Sequence, residues 1–129
     1  MLEIKPNLDK QVILSFCKKC RLVYSDAFYA YQAQDGGEIL ATALFLVNST
    51  QVEAVYYETA LPEDHFLFDA MLRAGLNYAD NHDIPTGHIP EAFRQEHGAL
   101  FDRLNFPPET TFVITNFFSR YKNCRSYFA

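Results

Sequence analysis

The spacing of apolar positions changes several times along the chain, and each change predicts an element. Residues 1–6, "MLEIKP", predict a short first strand closed by Pro6. Ile13, Phe16, Cys17 and Cys20 then recur at i, i+3, i+4 and i+7, one buried stripe of a helix that Asn7 or Asp9 can cap. Two alternating runs, 27–34 and 38–48, flank Asp35, Gly36 and Gly37, the residues of a hairpin turn. A second turn at 48–51 leads to a third strand over 52–61, ended by Pro62.

Glu63 and Asp64 suit the positive end of a helix running to about Asn81. Its polar positions form one narrow stripe, Asp69, Arg73, Asn77 and Asp80, so most of its surface is expected to be covered. The Asp69–Arg73 pair is expected to add only a few tenths of a kcal/mol, roughly. Residues 84–90 predict a short strand between prolines. Residues 91–105 predict a last helix with Phe93, His97, Leu100, Phe101 and Leu104 on its inner face, and Asn105 as a left-handed stop. The β-branched and aromatic run 110–118 predicts a final strand. Rings in 115–121 could face a second subunit, or could be covered by the last helix. A meander followed by a βαβ crossover predicts an α+β domain over residues 1–129, with a central, mostly antiparallel mixed sheet and helices on both faces.

Composition narrows the function classes. The chain has 129 residues, net charge −5 and no basic stripe, which argues against nucleic acid and against anionic membrane surfaces. No apolar run approaches a transmembrane length, and no leader pattern opens the chain, so a cytoplasmic protein with reduced thiols is expected. Twelve Phe and eight Tyr supply much ring area for a core.

The Cys17/Cys20 pair is a C-x-x-C on an apolar helical stripe, read as two core thiols rather than metal ligands. Cys124 would supply a third ligand only if the three came together. None of His65, His82, His88 and His97 forms a metalloprotease pair, and no metal is expected. His97 on the inner stripe reads as a hydrogen-bonded core histidine, and "NST" at 48–50 as a turn. No Walker loop, Rossmann fingerprint or nucleophile elbow is present.

Three segments carry a family resemblance: "DGGEILATALFLV" at 35–47, "VEAVYYETALPE" at 52–63 and "LFDRLNF" at 100–106. They resemble the turn, the cofactor-side strand and the L-Y-x-x-L-G-F signature of the GNAT superfamily of acyl-CoA-dependent N-acyltransferases. The resemblance implies acetyl-CoA as cofactor, with backbone contacts at Ala60 and Leu61 and a helix N-terminus at His65. It also implies a ligand wall at Tyr56 and Glu58, with Glu58 the candidate base for an amine.

Two features depart from the family pattern. The Q/R-x-x-G-x-G/A phosphate cradle is replaced by "PEDHFLF", which has no glycine, is bulky and carries two acids that repel phosphate. Phe101 stands where the signature has a tyrosine able to protonate the leaving thiolate. The expected function is therefore a GNAT acetyltransferase-like protein with degenerate or absent acyl transfer, binding a small molecule or a protein partner. The alternative is an active, diverged N-acetyltransferase acting on an amine.

Overall fold

A computed structural model describes residues 1–121. Six strands form one sheet in sequence order: β1 (Leu2–Asn7), β2 (Phe28–Asp35), β3 (Glu38–Val47), β4 (Gln51–Thr59), β5 (Thr86–His88) and β6 (Thr111–Val113). All neighbours are antiparallel except β4 and β5, which run parallel. The β2–β3 turn uses Gly36 and Gly37 at φ 60° and 87°, a backbone that glycine adopts without strain. Pro6 lies inside β1 rather than ending it, which an edge strand tolerates because one side of its ladder needs no donor.

Helices cover both faces, as the α+β reading requires. On one face lies α1 (Lys10–Lys19), whose Ile13 and Cys17 pack with Phe28, Ala30 and Leu44. Asp9 caps it by accepting the Gln11 N–H at 2.8 Å. On the other face lies α2 (His65–Asn81), packed with Tyr29, Ala33, Phe45 and Tyr57 in the main core. Gly75 allows the closest approach between α2 and the sheet: a Cβ there would stand 2.0 Å from Phe45 Cζ. The Tyr29 hydroxyl crosses the same contact and donates to the Gly75 carbonyl at 2.6 Å.

Four further sequence expectations need correction. The helix predicted over 91–105 is two short helices, α3 (Glu91–Glu96) and α4 (Gly98–Phe101), with the break at His97 (φ −111°, ψ 28°) just before a helix-weak glycine. Asn105 is not left-handed; Arg21 and Asp83 alone of the described non-glycine residues are. The Asn105 carbonyl instead accepts from Arg73 Nη2 at 3.2 Å. The last strand stops at Val113 and becomes α5 (Ile114–Arg120). There Ile114 and Phe117, spaced i, i+3, are buried, so Phe117 belongs to the core and not to an exposed face.

The fourth correction concerns Asp69. It is 1% exposed, not part of a solvated stripe. Arg73 Nε donates to its Oδ1 at 2.9 Å, and the guanidinium also lies over the rings of Phe106 and Phe117 at 5.2 and 4.7 Å. Breaking a buried pair costs about 3–5 kcal/mol rather than a few tenths. Arg94 works in parallel: its Nη2 donates to the carbonyls of Pro107 and Glu109, each at 2.9 Å. Two arginines thus hold the chain between α4 and β6 against α2 and α3.

Candidate functional site

β5 pairs with β4 only over Gln51–Glu53, while β4 continues to Thr59. Among the described residues the second half of β4 therefore has an open edge, and a cleft of about 290 Å³ lies beside it. Tyr57, Glu58, Thr59 and Pro62 line one side; Glu96, His97, Ala99 and Leu100 line the other. The break between α3 and α4 thus falls at the cleft wall. The Ala60 N–H donates to Leu40 O of β3 at 2.8 Å. By the alternation of an antiparallel ladder, the peptide groups of Tyr57 and Thr59 turn the other way, toward the cleft.

Two polar atoms of these residues, the Tyr57 hydroxyl and His97 Nε2, have no hydrogen-bond partner among the described residues, and both are closed off from solvent. Tyr57 is 4% exposed. Its ring meets the His97 ring edge to face at 5.8 Å, and both rest on Phe68. Burial pushes the Tyr57 phenol up to about 12, against an opposing pull from the nearby Thr59 hydroxyl, so it stays protonated. The neighbouring Thr59 hydroxyl is already engaged, donating to Leu40 O and accepting from the Leu61 N–H. Burial lowers the His97 pKa, with Glu96 acting weakly the other way, so the imidazole is neutral at pH 7. Glu96 Oε2 stands 3.7 Å from His97 Nε2, beyond hydrogen-bond reach.

The residues nominated from sequence fall in three places. Glu58 does line the cleft, but its Oε1 also accepts from Lys19 Nζ at 2.8 Å and from the Tyr56 hydroxyl at 2.9 Å. Tyr56 lies on the α1 face, beside Phe16, and burial with the Glu58 bond raises its phenol to about 12. At the β4–α2 junction, the N–H groups of Ala60 and Leu61 already donate within the chain, to Leu40 O and Thr59 Oγ1. His65 opens α2 with its ring against the exposed Phe66 at 4.2 Å. The cap of α2 is Asp64, whose Oδ1 accepts the Leu67 N–H at 2.9 Å. A carboxylate thus occupies the helix end where a phosphate group would be held.

Sequence reasoning missed the Tyr57–His97 pair. His97 was expected to be a satisfied core histidine; it is partly buried, and its Nε2 has no partner among the described residues. The signal for Tyr57 was its alternation with Tyr56 and Glu58, which sends it to the opposite face. Phe101, at the signature tyrosine position, is not in the cleft lining. It packs edge-on to Phe68 at 5.1 Å and to Phe106 at 5.9 Å, with Arg94 over its ring.

Cys17 is buried and Cys20 partly so, and burial raises both thiols. Cys124 lies outside the described residues. Among the described residues no cluster of three or more His, Cys, Asp or Glu could hold a metal ion, and no helix is long and apolar enough to cross a membrane.

No protein-family model matches the sequence, and no curated protein does. Solved structures do match it in fold. The ribosomal-protein-S18-alanine N-acetyltransferase from Escherichia coli is 14% identical, with a TM-score of 0.59 over 88% of this chain and 94% of that one. The IAA acetyltransferase from Bacillus cereus ATCC 14579 is 13% identical, with a TM-score of 0.61 over 79% and 74%. A GNAT family acetyltransferase from Elizabethkingia anophelis with acetyl-CoA bound is 14% identical, with a TM-score of 0.55 over 87% and 94%.

Proposed function

Starting from the GNAT fold of this chain, we propose that it is an acetyltransferase-like protein whose cleft binds a small ligand other than an acyl-CoA. The observation that carries this reading is the closed phosphate end. Asp64 caps α2, Glu63 precedes it, and the Ala60 and Leu61 amides are already engaged. A CoA pyrophosphate brought there would meet like charge and no open donor loop. The Phe101 ring adds a second deficit, since it has no proton for a leaving thiolate. The cleft itself persists, and it is concave, mixed in polarity and lined by rings, as small-molecule sites are.

The runner-up is an active, diverged N-acetyltransferase that transfers acetyl from acetyl-CoA to an amine. The open β4 edge favours it, because that edge could pair with an extended arm of the cofactor.

Thermal stability with and without acetyl-CoA separates the two. A ligand at 100-fold its dissociation constant stabilises by about 2.7 kcal/mol. The expected result is an unchanged melting temperature at millimolar acetyl-CoA. A clear upward shift, with turnover on a panel of amines, would establish the runner-up.

A further inference from the structure

We infer that the outer edge of β1 is a self-complementary interface, where two copies of this chain pair antiparallel about Ile4 and join their sheets. The inference goes beyond the cleft and does not depend on what the cleft binds. Among the described residues no strand pairs with that edge, since β1 stands at the end of the sheet beside β2.

The register fixes which peptide groups face outward. The Val47 N–H donates to Ala27 O at 3.0 Å, so by alternation Tyr29, Tyr31 and Ala33 turn their peptide groups toward β3. Ala30, Gln32 and Gln34 therefore face β1, where their partners are Asn7, Lys5 and Glu3. Leu2, Ile4 and Pro6 are left turned outward. This also puts the Pro6 nitrogen, which has no hydrogen to give, where β2 needs no bond. Two such edges, set antiparallel with Ile4 opposite Ile4, exchange both Ile4 amide bonds. At each end a Leu2 N–H then donates to the Pro6 carbonyl of the second copy.

Charge selects the same register. Glu3 of each copy stands opposite Lys5 of the other, at the close positions that carry no backbone bonds. Within one chain the two already meet at 3.0 Å, with side chains 54% and 56% exposed, so both are free to be shared across a twofold. Ile4 packs against the main core, and Leu2 and Pro6 share its face by alternation. Leu2 is 50% exposed, and in the pair it lies against Pro6 of the second copy. A lysine and a proline ordinarily blunt an edge strand. Here Glu3 answers the Lys5 charge and Pro6 falls at the end of the ladder. Because both copies use the same patch, the assembly closes at two.

Sedimentation of the full chain over a concentration series reads the association, and amide hydrogen exchange followed by NMR locates it. The expected result is a dimer at submillimolar concentration whose formation slows exchange at Leu2 and Ile4. Glu3→Lys and Lys5→Glu each set like charges opposite one another, and each should raise the dissociation constant by about tenfold. An equimolar mixture of the two variants again sets opposite charges across the twofold and should return to the parent's constant. Both positions are exposed, and circular dichroism checks that each variant keeps the fold.

A monomer at millimolar concentration would overturn the inference, including one whose Ile4 amide is protected by another part of its own chain. A dimer that neither variant weakens, or that the mixture does not restore, would put the interface elsewhere and overturn it equally.

Discussion

Tyr57→Phe is expected to make the ligand-free protein more stable, against the usual direction for a core substitution. The phenyl ring and its packing on Phe68 at 4.8 Å are kept; only the orphaned hydroxyl is lost. An unsatisfied buried hydroxyl costs about 1–3 kcal/mol, so removing it should return about 1–2 kcal/mol. At about 2.1 cal/mol/K per residue, a 129-residue chain has an unfolding entropy near 0.27 kcal/mol/K. Each kcal/mol then moves the melting temperature by about 4 °C, and the variant should melt about 4–8 °C higher. Tyr29→Phe is the internal control. Its hydroxyl donates to Gly75 O at 2.6 Å, so its loss should cost about 1 kcal/mol, a fall of about 4 °C. Urea denaturation and thermal melts of both variants beside the parent measure the two signs. Destabilisation by Tyr57→Phe of the same size as Tyr29→Phe would show that the Tyr57 hydroxyl is paired after all.

Gly75→Ala sets helix propensity, which favours alanine by about 1 kcal/mol, against a Cβ placed 2.0 Å from Phe45 Cζ. Phe45 is buried and stacked on Tyr29 at 5.2 Å, so overpacking should win by about 1–2 kcal/mol in urea melts. A stabilised Gly75→Ala would mean that the ring yields freely. For His97, burial holds the folded pKa below the unfolded value of 6.5. The unfolded chain therefore takes the proton first, and stability from neutral His97 is complete above that pH. It falls as pH drops through 6.5 until the folded His97 also protonates, and the loss should be smaller in His97→Gln when urea midpoints at pH 8 and 5.5 are compared. Phe101→Tyr alone is expected to give no acetyl transfer in a thiol-release assay with acetyl-CoA and mixed amines. Activity in that variant from an inactive parent would show that the acidic loop is no obstacle.

Much of the fold was legible locally. Period-2 alternation marked β2, β3 and β4, paired glycines marked their turn, and a period near 3.6 marked α1 and α2. Each signal depends on residues a few positions apart, so it survives without knowledge of the partner element. The failures lie where the partner decides. Residues 114–120 carry the rings and β-branches of a strand, yet fold as α5 because Ile114 and Phe117 can be buried together one turn apart, with Phe117 under Arg73. Asp69 reads as a surface acid until Arg73, Phe106 and Phe117 close over the pair.

The site divides in the same way. The acidic, glycine-free cap of α2 and the missing phenol at Phe101 are statements about residue chemistry, so the sequence alone determined them. It also determined that Tyr56 and Tyr57 point to opposite sides of one strand. Which side would be the cleft was a tertiary decision. It depends on β5 parting from β4 after Glu53, and on the chain breaking at His97 between α3 and α4. Whether a buried hydroxyl or ring nitrogen finds a partner depends on every group within hydrogen-bond reach, and those groups come from distant parts of the chain. That is why Tyr57 and His97, 40 positions apart in sequence, meet ring to ring at the cleft wall only once the fold has formed.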